Sequence, residues 1–281
     1  MGRQRKRPRA GSHEVSGQTS RLVTHLTVDP STVGQGHSDW NAKNNAAAAR
    51  LYPFMLKKDY RGAVRLLKRL GADEAEPYWI AYHLGKVYGY RGDWEKALHH
   101  LEEAARLAPR SPVVFHGLGI ALNELRRFEE AAAAHGEAVR LQRDYVEGWQ
   151  SLGLALLHAG DSDGAAQAFR AALIHLTRQA FRAEGLPVHP PADTASGIAE
   201  DDPLNHELSL PESVAVALVE DGRFADITYH LGMAHVAADR HARAKEAFEN
   251  AAAMGLREPA LGLAQGWLAK LAAGKVGLKL N

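Results

Sequence analysis

The sequence contains no cysteine, which excludes disulfide bonds, thiolate metal sites and thiol nucleophiles. Its basic and acidic residues nearly balance, and the net charge of +1 favours neither nucleic acid nor a membrane surface as partner. No apolar run approaches the roughly 18–20 residues that span a bilayer. The absence of cysteine fits a reducing compartment, so we expect a cytoplasmic protein. Frequent Ala, Arg and Gly indicate a bacterial source.

The first forty residues lack the apolar stretch that follows the basic start of a signal peptide, so we expect no secretion signal. They are rich in Gly, Ser, Thr and Arg, which is typical of a flexible arm. The arm carries a cluster of cations, which is either a solvated tail or a nucleic-acid contact that releases counterions. The cluster comprises Arg3, Arg5, Lys6, Arg7 and Arg9.

Sequence signatures of catalysis are also missing. There is no P-loop, no dinucleotide-binding glycine pattern after a strand, no G-x-S-x-G and no H-E-x-x-H. Gly117 and Gly119 form a G-x-G inside a predicted helix, which indicates packing rather than phosphate binding. His83 and His116 fall on similar helix faces one repeat apart, but no third ligand completes a metal site. We therefore expect no enzyme activity, no cofactor and no metal.

A 34-residue period dominates the rest of the chain. Three consecutive blocks begin at Tyr78, Pro112 and Val146, and a fourth begins at Ala225. Each block repeats a Leu-Gly pair, at Leu84-Gly85, Leu118-Gly119, Leu152-Gly153 and Leu231-Gly232. A glycine inside a helix costs about 1 kcal/mol relative to alanine. Its recurrence therefore predicts a second helix that crosses closely there, so each block is predicted to be two antiparallel helices.

The spacing resembles the tetratricopeptide repeat (TPR), in which an aromatic residue, Leu-Gly, Tyr, Ala, Phe, Ala and Pro recur over 34 residues. The block at Val146 matches well but has Leu156 where the family has Tyr. Its matching residues are Trp149, Leu152, Gly153, Ala165, Phe169 and Ala172. The resemblance implies an all-α, right-handed α-solenoid of antiparallel helix pairs. It also implies that the first helix of each repeat lines a concave groove, which takes a peptide or a partner's helix.

The period divides the chain into segments. After the arm at 1–40, we expect a degenerate opening repeat at 41–77, in which Pro53 should kink the first helix. Three contiguous repeats follow at 78–179. An acidic insertion with a short helix is expected at 180–224, which is either disordered or a flap that packs over the groove or contacts a partner. A further repeat at 225–258 precedes a capping helix at 259–272, with Leu263, Trp267 and Leu271 as its buried stripe, and a tail at 273–281.

The outward positions of the first helices give a groove that is aromatic, histidine-bearing and partly apolar. Such a surface favours a hydrophobic or amphipathic segment of another protein. Only Lys86 and Asn123 could serve a clamp for a C-terminal carboxylate, so we do not expect one. The candidates are Trp79, Tyr82, His83, Lys86, Tyr90, His116, Ile120, Asn123, Gln150, His158, Tyr229, His230 and Met233.

Trp79 and Tyr82 have an alternative role, because both could instead pack against the opening repeat. The leading functional hypothesis is a non-catalytic adaptor or scaffold that binds another protein in the groove. The alternatives are a nucleic-acid-associated protein that uses the basic arm, and an accessory subunit of a separate enzyme. The oligomeric state and the partner do not follow from the sequence.

Overall fold

The computed structural model describes residues 42–186 and 211–273, which contain twelve helices and no strand. The predictions for the basic arm, most of the acidic insertion and the tail lie outside these residues. The helices are α1 (Ala42–Leu56), α2 (Tyr60–Arg69), α3 (Pro77–Tyr90), α4 (Trp94–Leu107), α5 (Pro112–Glu124), α6 (Phe128–Leu141), α7 (Val146–Ala159), α8 (Ser162–Ala183), α9 (Glu212–Asp221), α10 (Arg223–Ala237), α11 (His241–Ala253) and α12 (Ala260–Ala272).

The helices form antiparallel pairs that stack in one direction. The pairs are α1–α2, α3–α4, α5–α6, α7–α8 and α10–α11, and the second helix of each pair packs on the first helix of the next. This arrangement buries a series of apolar clusters along the stack, because each pair covers the apolar face of its neighbour. The prediction of an all-α, right-handed α-solenoid is confirmed.

In each pair, the turn between the two helices contains a residue with positive φ, and this residue has the same position in every repeat. These residues are Lys58, Gly92, Arg126, Gly160 and Asp239, with φ of 53°, 77°, 60°, 89° and 58°. A left-handed residue lets the chain reverse within three residues, and glycine adopts it without the Cβ clash. The turn after α1 therefore follows the geometry of the regular repeats, although its sequence has no Leu-Gly pair.

The recurring glycines lie where the two helices of a pair cross. A Cβ atom at Gly153 would stand 2.6 Å from the ring of Phe169, and one at Gly232 would stand 2.7 Å from Phe248. Gly85 faces Leu101 and Gly119 faces His135 in the same way. The facing residue always lies 16 positions after the glycine. The close approach predicted from the sequence is therefore confirmed.

Two helical glycines give a matched test of this crossing. Gly153→Ala should destabilise the protein by about 1–3 kcal/mol, because the new methyl group overlaps the buried ring of Phe169. Gly136, in α6, has nothing within 4 Å of its Cβ position, so Gly136→Ala should stabilise by about 0.5–1 kcal/mol. Urea denaturation measures both changes. Equal effects of the two substitutions would contradict the crossing geometry.

The insertion leaves the stacking intact. α8 is 22 residues long, whereas the other second helices have 10 to 14. Its extension holds α9, since Leu176 of α8 shares a core cluster with Val214 and Leu218 of α9. α10 nevertheless packs on α8 as α7 packs on α6. The chain therefore leaves and rejoins the solenoid without displacing the next repeat.

The last helix departs from its prediction. Trp267 and Leu271 are partly buried against α10 and α11, but Leu263 is 48% exposed, so its assignment to the buried stripe was wrong. Ala264 is buried instead, because it is one position further around the helix. α1 runs through Pro53 and ends three residues later. The repeat and insertion boundaries given above stay predictions.

Candidate functional site

The first helices line the inner side of the solenoid. Contacts join α3 to α5, α5 to α7, α7 to α10 and α10 to α12, whereas contacts between successive second helices of the described residues are weaker. First helices are therefore closer together than second helices, so the stack curves toward them. We use the term groove for the exposed surface of the first helices on the inner side of the stack. These helices are α1, α3, α5, α7, α10 and α12.

Most of the predicted groove residues keep accessible surface. Tyr82, Lys86 and Tyr90 on α3 are partly exposed, and His116 and Asn123 on α5 are too. On the later helices the accessible or partly accessible candidates are Gln150, His158, His230 and Met233.

Four predicted groove residues are buried, which corrects their assignment. Trp79 is 2% exposed and packs in the core that includes the opening helix pair. Its ring stacks on His83 at 3.8 Å, and Nδ1 of His83 donates to the Trp79 carbonyl oxygen at 2.9 Å. Tyr229 is buried beside Phe248, with ring centroids 5.7 Å apart, and Ile120 is also buried. These four residues are therefore part of the packing under the groove surface and are not accessible to a ligand.

The N-terminal end of the groove is formed by tyrosines around one cation. Tyr60 of α2 stacks on Tyr90 at 5.9 Å, and Lys86 Nζ lies 5.5 Å from the ring centre of Tyr82. Burial raises the pKa of Tyr82 to about 12 and lowers the pKa of Lys86 to about 8. The low-dielectric surroundings therefore disfavour charge here, although Lys86 stays largely protonated at neutral pH.

Under the centre of the groove, the buried His135 forms a polar contact with Asn123. His135 occupies the place filled by Leu101, Phe169 and Phe248 in the other pairs, and it is fully buried. Its ring lies 5.2 Å from His116, and its Nε2 accepts a 3.3 Å hydrogen bond from the Asn123 side chain. Within the described residues, Nδ1 of His135 has no partner. Burial, and then the charge of His116, lower the pKa of His135 well below its usual value.

The C-terminal end combines apolar and charged side chains. Lys270 lies 4.6 Å from the ring centre of Trp267 on α12, next to the exposed Leu263. At the start of α7, Glu147 accepts a 2.6 Å hydrogen bond from Arg223, which also pairs with Asp221. This pair joins the helix of the insertion to the inner side of the array.

Sequence reasoning missed three exposed groove residues that the period itself could have supplied. Tyr52 lies 34 residues before Lys86, and Leu56 lies 34 before Tyr90. Leu263 lies 34 after the buried Tyr229, and it is exposed because no described helix pair follows α12. The opening block lacks the Leu-Gly pair and the last helix has no second helix after it in the described residues, so neither shows the full repeat pattern.

His83 and His116, which the sequence places one repeat apart, have different surroundings in the structure. His83 is held by Trp79, whereas His116 faces His135 and Tyr145. In residues 42–186 and 211–273, no group of three His, Cys, Asp or Glu side chains could hold a metal ion. None of the helices in these ranges is both long and apolar enough to cross a membrane.

The stacked pairs and their inner groove define a protein of the α-solenoid repeat class. Tetratricopeptide repeat models match residues 79–111 and 116–182. With the 34-residue period and the glycine crossings, these matches show that the chain is a tetratricopeptide repeat protein. Among solved structures, the YrrB protein, described as a TPR protein with an unusual peptide-binding site, is 17% identical with a TM-score of 0.53. That similarity covers 80% of this chain and 92% of YrrB.

A second similar structure is MamA from Desulfovibrio magneticus RS-1, 15% identical with a TM-score of 0.53 over 76% of this chain and 96% of that chain. Among curated relatives, the Hsp70-Hsp90 organizing protein of Triticum aestivum is 34% identical over 82 residues, 29% of this chain. Tetratricopeptide repeat protein 7A of Homo sapiens is 24% identical over 166 residues, 59% of this chain. The matched parts are 14% and 19% of these relatives' lengths.

Proposed function

We propose that the protein is a non-catalytic adaptor whose groove binds a hydrophobic or amphipathic segment of another protein. The observation that carries this proposal is the location of exposed apolar side chains. Six large apolar residues are exposed in the described parts of the chain. Tyr52 and Leu56 lie at groove positions, and Leu263 lies on α12 at the C-terminal end of the first helices. Tyr52 and Leu56 are one turn apart on α1, so they form an apolar patch of the kind that marks interaction sites.

The rest of the groove suits the same kind of ligand. The partly exposed Tyr82 and Tyr90 offer large, rigid contact area at low entropic cost. Lys86 has no ion pair with any described residue, so it can pair with a single carboxylate of the ligand. The favoured ligand is therefore an apolar segment with one acidic residue near the N-terminal end of the groove. YrrB is described as having a peptide-binding site, which agrees with a peptide ligand.

A displayed library of random peptides, selected against the full chain, tests this proposal. The tightest peptide should bind Leu56→Ser/Leu263→Ser about ten-fold or more weakly than the unchanged chain, since interface anchors contribute over 1 kcal/mol each. Calorimetry measures the affinity. Both leucines are exposed, so the unbound fold should tolerate the change.

The matched control replaces exposed apolar residues outside the groove, with Leu107→Ser/Val216→Ser. This control should leave the affinity within about two-fold of the unchanged chain. A peptide that loses affinity in the control and keeps it in the groove variant would contradict the proposal. A selection that enriches no peptide would contradict it as well.

The two other hypotheses lack a specific observation in the described residues. The basic arm, with nucleic acid as its ligand, lies outside them, and nothing indicates a particular enzyme as partner. The cytoplasmic location, the bacterial source and the absence of catalysis stay predictions from composition and family.

A further inference from the structure

The second helix of the opening pair carries a face of uncompensated positive charge. At 100° per residue, four cations of α2 fall within about 100° of its circumference, opposite Ala63 and Leu67, which are buried. Two lysines in the preceding turn add to this surface. The outer basic face comprises Lys57, Lys58, Arg61, Arg65, Lys68 and Arg69, all exposed.

None of these six residues forms an ion pair within the described parts of the chain. The second helices α4 and α6 differ, because each has an arginine paired with an acid of the same helix: Arg106 bonds Glu103 at 2.7 Å and Arg140 bonds Glu137 at 2.6 Å. α2 itself contains no acidic residue. Uncompensated cations on one helix repel one another, so the face is suited to a polyanion that neutralises them.

The shape of the basic face distinguishes a nucleic acid from a membrane. The face is one helix wide, and the next second helix along the chain is α4. α4 presents the exposed carboxylates Glu95 and Glu102. Within α2 no large apolar side chain is exposed for insertion into an anionic bilayer, and the exposed Leu56 lies on α1 instead. A narrow phosphate backbone can follow α2 alone.

We propose that the outer basic face binds the phosphate backbone of nucleic acid without reading its sequence. From Arg61 to Arg69 the face is about 12 Å long, and duplex DNA has a phosphate about every 3.4 Å per strand, so three or four phosphates are within reach. Arginine guanidinium groups match phosphate oxygens in pairs. The basic face lies on a second helix and the groove on first helices, so one chain can bind a peptide and a nucleic acid together.

Fluorescence anisotropy of a labelled random-sequence DNA duplex with the full chain tests this inference between about 50 and 200 mM salt. Arg61→Gln/Arg65→Gln/Lys68→Gln/Arg69→Gln should weaken binding at least ten-fold at the lowest salt. It should also lower the slope of log affinity against log salt by about 3, at about 0.9 per phosphate contact. Glutamine keeps the helix propensity, and circular dichroism checks the fold.

Two control variants separate this face from other cations. The first removes four exposed cations of other second helices, with Arg106→Gln/Arg140→Gln/Arg243→Gln/Lys245→Gln, and should keep most of the affinity. The second control replaces the five arm cations with glutamine in the full chain. Adding the α2 substitutions to this control should still weaken DNA binding at least ten-fold. The arm cations are Arg3, Arg5, Lys6, Arg7 and Arg9.

Three results would overturn the proposal. The first is an absence of DNA binding by the unchanged chain at the lowest salt. The second is an α2 variant that binds like the unchanged chain. The third is binding to phosphatidylserine vesicles but not to DNA, which would assign the face to a membrane.

Discussion

Phe169→Ala should lower the free energy of unfolding by about 3–5 kcal/mol, because it removes a fully buried aromatic ring. Phe169 is fully buried, fills the crossing at Gly153 and stacks on His230 of α10 with centroids 5.8 Å apart. It therefore holds two helices of one pair together and joins that pair to the next. Its removal leaves a cavity that backbone movement cannot close without breaking both contacts.

Urea denaturation followed by circular dichroism measures this loss, and hydrogen exchange locates it. Amides of α10 and α11 should exchange faster in the variant, because neighbouring pairs of a solenoid stabilise each other. Leu107→Ala, at an exposed position of α4, is the control and should change the free energy by less than about 0.5 kcal/mol. A loss below about 1 kcal/mol in Phe169→Ala would contradict the packing.

Acidification from pH 6.5 should destabilise the array well before its carboxylates titrate. Burial lowers the pKa of His83 to about 3 and of His235 to about 4, and it lowers the pKa of His135 well below the usual value. Their stabilising effect is present above the unfolded pKa of about 6.5, because the folded state keeps them neutral. It is lost as the pH falls toward the folded values, by up to about 1.4 kcal/mol per unit for each histidine.

Thermal unfolding between pH 7 and pH 5 measures this effect. His135→Leu is the informative variant, since Leu101 fills the same place in the preceding pair. The variant should be at least as stable as the unchanged chain at pH 7 and should lose less stability toward pH 5. Identical pH profiles of the two proteins would show that His135 is not held neutral by its surroundings.

The fold followed from the sequence because its signal recurs. Each Leu-Gly pair implied a close helix crossing, and the glycines lie where Leu101, His135, Phe169 and Phe248 press on them. Lys58 of the opening pair, which lies 34 residues before Gly92, has the same left-handed turn conformation. Local residue patterns therefore determined the helix pairs and their order.

The groove was less predictable, because exposure depends on the neighbouring pairs. Trp79 faces outward by its position on α3, yet the opening pair covers it. Leu263 was placed in a buried stripe, yet no element of the described residues covers it, so it is exposed. The basic face of α2 was not predictable from the N-terminal cluster of cations, because it depends on which side chains of the helix are exposed.

Hydrogen exchange of the chain with its selected peptide tests the central claim most directly, because it locates the bound segment without a substitution. The account predicts that the peptide slows exchange in the first helices, above all α3, α5 and α7, and leaves the outer helices α4 and α6 unchanged. Protection confined to the outer helices or to α9 would contradict the groove as the binding site.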